Sequence, residues 1–152
     1  MKQIAIKPTN FILWIVLCGI LSSYSIPLGG DSYTIYLGDR LLSEQFVARQ
    51  TNVPNVFLQE SSPQDKISVY YSHCGLIGKK RTLAVKDEHS RMLKTWSFED
   101  VVADHTPMII NASEVNGLFN KGHKTLTLIY SSVELPQGRT LATIASSKQA
   151  GL

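Results

Sequence analysis

Alternating apolar and polar residues are the dominant pattern of this chain. Residues 66–72 (KISVYYS) and 124–131 (KTLTLIYS) alternate along their length, which is typical of strands with one buried face. Residues 33–37 have the same period, and the Gly-Asp pair at 38–39 predicts a tight hairpin turn into a strand over 40–47. The positions predicted to face a core in the two long strands are Ile67, Val69, Tyr71, Leu126, Leu128 and Tyr130.

The same series of segments occurs twice. Residues 66–72 and 125–131 both end in Tyr-Ser, and each is followed by a glycine-containing loop and then Arg-Thr-Leu-Ala, beginning at Arg81 and at Arg139. Because the segments recur in one order, we predict two related four-strand units and a closing strand, with chance likeness between alternating strands as the alternative. The further parallel pairs are 34–42 with 82–93 and 53–58 with 106–110.

The proposed duplication predicts where particular residues lie in the fold. Tyr71 and Tyr130 are predicted to occupy equivalent buried positions, with their hydroxyls bonded to polar partners near the ends of the fold. Arg81 and Arg139 are predicted to begin equivalent strands, each leading into an inward-facing leucine. A unit of four strands cannot bury both faces of its sheet, so the predicted fold is a single all-β sandwich of eight or nine strands over residues 26–145.

Only one helix is predicted in this sandwich. Asn111 can cap its start, and Glu114 three residues later completes a capping-box-like pattern. Trp96 and Phe98 lie two residues apart on one strand face and are predicted to pack in the core. Residues 146–152 are predicted to form a disordered C-terminal tail.

The start of the chain indicates export. An unbroken apolar run at residues 11–21 (FILWIVLCGIL) follows two lysines and precedes the small-residue segment 22–25 (SSYS). Spanning a bilayer takes about 20 apolar residues, and this run is shorter. We therefore predict a signal peptide over residues 1–25, cut after Ser25, and a periplasmic or secreted protein; an uncleaved membrane anchor is the alternative.

Charge excludes one class of partner. The intact chain carries a formal net charge of +3. Loss of Lys2 and Lys7 with the signal peptide lowers this to about +1, so the basic balance no longer indicates a nucleic-acid partner. No membrane contact is expected except through an uncleaved signal segment.

Cleavage leaves a single thiol. Cys18 lies within the apolar run, so Cys74 has no internal disulfide partner in the mature chain. His73 beside it makes the pair a candidate reactive thiol, but neighbours in a strand point to opposite faces and cannot chelate one ion. A small buried thiol at a strand end is the favoured interpretation, with a reactive Cys74 as the alternative.

A cationic loop is the densest grouping of candidate binding residues. It contains two glycines and the consecutive cations Lys79, Lys80 and Arg81, while Arg139 occupies the matching place in the second unit. Backbone amides beside fixed positive charge can bind an anion, which makes this loop a candidate anion site. The favoured interpretation is a solvated loop whose charges keep a sheet edge from pairing with other chains, and the anion site is the alternative.

The sequence contains neither a glycine-flanked serine elbow nor a phosphate-cradling loop that leads into a helix. We therefore expect a non-catalytic binding module without a cofactor or metal, whose partner is a protein or a small anionic ligand at the loop end. The alternative is a thiol-dependent enzyme or redox protein using Cys74.

The segment from Tyr70 to Gly75 (YYSHCG), with Gly78-Lys79 and the Arg-Thr-Leu-Ala tetrapeptide after it, resembles a group of small exported β-rich proteins of Bacteroidetes bacteria. The resemblance extends over most of the mature domain. It implies a bacterial periplasmic or surface setting, and it implies no particular activity.

Overall fold

A computed structural model describes residues 30–49, 52–58, 62, 64–103 and 105–145. The predicted signal segment 1–25, with its cleavage after Ser25, and the predicted tail 146–152 lie outside the described residues. Within the described part of the chain, no helix is long and apolar enough to cross a membrane.

The described residues form nine strands and one α-helix in two packed sheets, which confirms the predicted all-β sandwich with a single short helix. One sheet has the order β2-β1-β4-β7 and the other β3-β9-β8-β5-β6. A 3-10 turn at Val47–Arg49 follows the second strand. The elements are β1 Ser32–Leu37, β2 Arg40–Phe46, β3 Asn55–Phe57, β4 Lys66–Ser72, β5 Thr82–Lys86, β6 Met92–Ser97, β7 Met108–Asn111, α1 Ala112–Phe119, β8 Thr125–Ser131 and β9 Arg139–Ala145.

Alternation in the sequence places one face of each central strand in a shared core. The inward residues of β4 and β8 are those predicted from their period, and each is at most 4 % exposed. Trp96 on the edge strand β6 and Phe98 directly after it are half-buried and pack against this core. The core therefore lies between the two sheets, as a sandwich requires.

The two predicted units have the same strand arrangement. Each begins with a hairpin, β1–β2 or β5–β6, and each pairs its first strand with its fourth, β1 with β4 or β5 with β8. Both hairpins carry a register irregularity at the same place relative to the fourth strand, directly after Ile35, which lies opposite Val69, and directly after Val85, which lies opposite Leu128. Ile35 therefore corresponds to Val85, and the predicted parallel of 34–42 with 82–93 is wrong by two residues. A shared bulge at matching positions is a detail that alternation alone would not produce.

The third strand of each unit joins the opposite sheet. β7 pairs with β4 of the first unit, and β3 lies in the sheet of the second unit, where β9 separates it from β8. The prediction that Arg81 and Arg139 begin equivalent strands is wrong, because the connections that lead into those strands differ. The connection before Arg81 crosses between sheets, whereas the connection before Arg139 joins two neighbouring strands of one sheet.

Helix α1 follows β7 of the four-stranded sheet, and one carboxylate attaches it to β6 of the five-stranded sheet. Asn111 is the N-cap but makes no capping bond to the backbone; its amide donates to Glu114 Oε1 at 3.0 Å instead, so the predicted capping box does not form. Glu114 Oε2 accepts from Trp96 Nε1 at 2.9 Å and from Lys94 Nζ. The hydrogen bond from Lys94, followed by those from Trp96 and Asn111, lowers the pKa of Glu114 to about 2.

We expect Glu114→Gln to lower the free energy of unfolding by about 1 kcal/mol at neutral pH, a figure reduced for the partial exposure of this side chain. A carboxylate with a lowered pKa in the folded state stabilises the protein above its unfolded pKa, and this contribution is lost as the pH falls toward 2. Urea unfolding of wild type and variant should therefore differ most above about pH 5 and converge in acid.

Glu88→Gln is the matched control, because Glu88 is exposed in the β5–β6 turn and the same charge is removed. Its stability should follow that of the wild type at every pH. A constant difference between wild type and Glu114→Gln from pH 7 to pH 2 would contradict the assigned role of the Glu114 charge.

Candidate functional site

The strands bring both predicted arginines to one end of the sandwich. β5 and β9 begin where β8 ends, with Thr82 opposite Ser131 and Arg139 opposite Tyr130. Arg81 and Arg139 therefore lie on either side of the end of β8. We call this region the loop end; it comprises the connections 73–81, 98–107 and 132–138 together with Asp31, which directly precedes β1.

Both arginines belong to the inward side of their sheet. Each precedes by two residues a leucine with no exposed surface, Leu83 or Leu141, and residues two apart in a strand share a face. Arg81 is only 5 % exposed, and its Nη1 donates to the carbonyl of Thr106 at 2.8 Å. The two guanidinium groups thus form part of the covered end of the core, whereas the solvated-loop interpretation placed Arg81 among exposed charges.

A pair of stacked tyrosines lies beneath the arginines. Tyr71 from one sheet and Tyr130 from the other have ring centroids 4.1 Å apart, and their rings are within 17° of parallel. The Tyr71 hydroxyl donates to Asp31 Oδ2 at 2.8 Å, and the Tyr130 hydroxyl lies 2.8 Å from His73 Nε2. The predicted burial of both rings, with polar partners for both hydroxyls, is confirmed.

Burial and charge act in opposite directions on these phenols. Burial is the largest cause that raises the pKa of Tyr71, and its hydrogen bond to Asp31 raises it further, while the nearby charge of Arg139 lowers it. Burial also raises the pKa of Tyr130, against the hydrogen bond from Ser132 and the charge of Arg81. Both hydroxyls therefore keep their protons at neutral pH and can donate.

His73 also contacts the hydroxyl group of Ser132. Its Nε2 also lies 3.2 Å from Ser132 Oγ, and its Nδ1 lies 3.7 Å from Asp31 Oδ2. Asp31, His73 and Ser132 are the residue types of a hydrolase triad, but 3.7 Å is too long for a hydrogen bond, and Ser132 is only 6 % exposed. The geometry favours a buried hydrogen-bond network that closes the end of the core.

The arginines leave two donors unsatisfied. Nε of Arg81 and Nε of Arg139 are both buried and have no hydrogen-bond partner. Among the described residues, no carboxylate forms an ion pair within 4.0 Å of either guanidinium. A buried donor without a partner costs about 1–3 kcal/mol, so an acceptor that reached either Nε would stabilise this end of the fold.

The predicted anion-binding amides are occupied by the protein itself. Lys79 N donates to Glu134 Oε2 at 2.9 Å, and Lys80 N donates to Asp100 Oδ1 at 2.6 Å. Both lysine side chains are exposed beside the arginines. The amides of this loop therefore bind carboxylates, but these belong to neighbouring loops and hold the loop end together.

The favoured interpretation of Cys74 as a buried thiol is wrong. Cys74 and Gly75 both have positive φ, 49° and 90°, and form the two-residue turn between His73 and Leu76. This turn places the thiol at an exposed loop tip, while the His73 ring packs inward. No group of three metal-ligating side chains occurs among the residues that the structure describes.

Apolar side chains surround the loop end. Leu76 is 61 % exposed, Val102 is 97 % exposed and Val133 is 55 % exposed, one on each of the three connections. A backbone hydrogen bond from Val133 N to Lys79 O at 2.9 Å joins two of these connections. The loop end thus carries buried guanidinium groups together with exposed aliphatic side chains.

The sequence analysis missed Asp31, Thr106 and Ser132. Asp31 lies in phase with the buried residues of β1, so alternation could have placed it at the inward end of the strand. Thr106 and Ser132 lie in irregular connections, where no period applies. No protein-family model, curated protein or solved structure matches this chain.

Proposed function

We propose that this protein is an exported, non-catalytic binding module whose loop end binds a carboxylate- or phosphate-bearing ligand or partner. The observation that carries the proposal is the pair of inward-facing arginines, Arg81 and Arg139, whose buried Nε donors lack partners. A guanidinium presents donors in a planar fork that matches these two anions. The exposed aliphatic residues of the loop end supply contact area around the bound anion.

Access to the arginines comes from the side of Arg139, because Arg139 is partly exposed whereas Arg81 is buried. An anion that enters there meets Arg139 first. The ligand thereby satisfies donors that the protein alone leaves unpaired, which favours the bound state.

Thermal unfolding in sodium phosphate, sodium acetate and sodium chloride at equal ionic strength tests the proposal. We expect phosphate or acetate to raise the Tm of the wild type above its value in chloride, since a ligand of the folded state stabilises it. Arg139→Gln should lose this difference. Arg40→Gln removes a charge at the opposite end of the sandwich and should retain it. Equal anion effects in wild type and Arg139→Gln would overturn the proposal.

Export rests on the pattern of residues 1–25. Intact-mass measurement on the protein recovered outside the cytoplasm should give a chain that begins at Ile26. A mass that includes residues 1–25 would instead support display on a membrane through an uncleaved segment.

The exposed thiol keeps a second function open, a thiol-dependent enzyme or redox protein. We expect iodoacetamide to modify Cys74 in the folded protein as readily as in denaturant, because the thiol lies at a loop tip. Mass spectrometry of both samples measures this. Cys74→Ser should keep the anion effect on Tm. Protection of the native thiol would contradict the exposed turn and would remove this second function.

A further inference from the structure

The outer face of the four-stranded sheet carries a second feature that the loop end does not use. Three shallow depressions of about 170–220 Å³ lie side by side along the central strands β1 and β4. All three are lined by Tyr70, and two of them by Tyr36. Because they share lining residues, we call the three together the groove; it follows two strands that are about 20 Å long. The outward residues of these strands are Ser32, Thr34, Tyr36, Lys66, Ser68, Tyr70 and Ser72.

The groove has an aromatic centre. Tyr36 and Tyr70 are half-buried, and their rings meet edge to face with centroids 5.8 Å apart. They therefore offer two ring surfaces at different angles within one groove. Such rings combine an apolar face with a polar hydroxyl, which suits a ligand that has both C–H surfaces and hydroxyl groups.

The charged side chains that line the groove are carboxylates. Glu44 lines the depression at one end and Asp39 the depression at the other, and within the described residues no lysine or arginine lines any of the three. Among the described outward residues of β1 and β4, the one cation is Lys66, which is exposed at the start of β4 beside the Gly38 turn. Carboxylates repel phosphate, sulfate and uronate groups but accept hydrogen bonds from neutral hydroxyls. The groove is thus complementary to an uncharged, hydroxyl-rich ligand.

The position of the groove argues against a peptide. β1 and β4 are the two central strands of their sheet, so their backbone groups are already paired with neighbouring strands. A peptide that adds to a sheet needs a free edge, and none is available here. Recognition on this face must come from side chains.

One backbone feature coincides with the groove. His105 lines two of the three depressions and has a positive φ of 65°. A positive φ is uncommon outside glycine, and histidine is among the residues that adopt it most often. His105 extends from the 98–107 connection over the sheet and bounds the groove beside Thr34 and Tyr70.

We propose that this groove binds a neutral oligosaccharide, with sugar rings packed on Tyr36 and Tyr70 and sugar hydroxyls bonded to the serine, threonine and carboxylate groups of the lining. A single sugar would occupy one depression, whereas the three in series fit a chain of sugars. The site is separate from the loop end, so it does not depend on the anion-binding proposal.

Isothermal titration with maltohexaose, cellohexaose, xylohexaose and mannohexaose tests this inference. We expect at least one of these neutral sugars to bind, and we expect Tyr36→Ala and Tyr70→Ala each to weaken binding at least tenfold. Tyr70→Phe keeps the ring and should lose much less. Circular dichroism and Tm verify that the variants fold.

Phe57→Ala is the matched control, because it removes an aromatic ring that is 49 % exposed on the other sheet. It should bind the sugar like the wild type. Absence of binding to all four sugars at millimolar concentration would overturn the inference. Binding that survives both tyrosine-to-alanine changes would do the same.

Discussion

Leu83→Ala and Leu141→Ala are each expected to lower the free energy of unfolding by about 2–5 kcal/mol. Both side chains have no exposed surface, and each lies two residues after one of the arginines in the chain. Truncation removes buried methyl groups and leaves a cavity between two sheets that cannot collapse onto it. Equilibrium unfolding in urea, with the slope of the transition compared between variants, measures the loss.

The matched control is Leu76→Ala, the same change at an exposed position of the loop end. Leu76 is 61 % exposed, so its truncation should alter stability by no more than about 0.5 kcal/mol. If either buried variant were as stable as Leu76→Ala, the inward direction of that strand would be wrong, and the inward position of its arginine would be wrong with it.

Gly78→Ala is expected to destabilise the protein by about 1–3 kcal/mol, although it adds one methyl group. A Cβ at this position would lie 2.7 Å from the Tyr130 hydroxyl and 3.1 Å from the His73 ring. Contacts that short force the tyrosine or the 73–81 connection to move, and the hydrogen bond between Tyr130 and His73 lengthens or breaks. Urea unfolding should record the loss.

Gly117→Ala makes the same chemical change with the opposite expected sign. Gly117 lies within α1, and a Cβ there meets no atom within 4 Å. Alanine is favoured over glycine in a helix interior by about 0.8–1 kcal/mol, so this variant should be more stable than the wild type. If Gly78→Ala left the free energy of unfolding unchanged while Gly117→Ala raised it, the Tyr130–His73 network would not be as tightly packed as described.

Period-two alternation was sufficient to predict several strands closely. The predicted strand 66–72 coincides with β4, and the predictions 33–37 and 40–47 differ from β1 and β2 by one residue at one end. Alternation defines the buried face of a strand and leaves its neighbours undefined. The exchange of β3 and β7 between sheets depends on packing, and no local pattern in the sequence records it.

The site was harder to predict than the strands for an identifiable reason. Residue type placed Arg81 and Arg139 among loop cations, whereas their phase with Leu83 and Leu141 places them inside. Residue type likewise favoured burial of Cys74, but a turn with two positive φ angles exposes it. At strand ends the backbone geometry, and not the polarity of the side chain, decided which way each residue faces.

The exchange of third strands between the two sheets has a consequence for how the protein could be assembled. Two separate copies of a four-strand unit, each lending its third strand to the other, would form the same sandwich around a two-fold axis. The chain therefore has the architecture of a strand-swapped homodimer fused into one polypeptide, in which β9 breaks the symmetry by inserting beside β3. Fragments separated in the 73–81 connection would each lack a strand of their own sheet, so neither could complete its fold without complementation by the other.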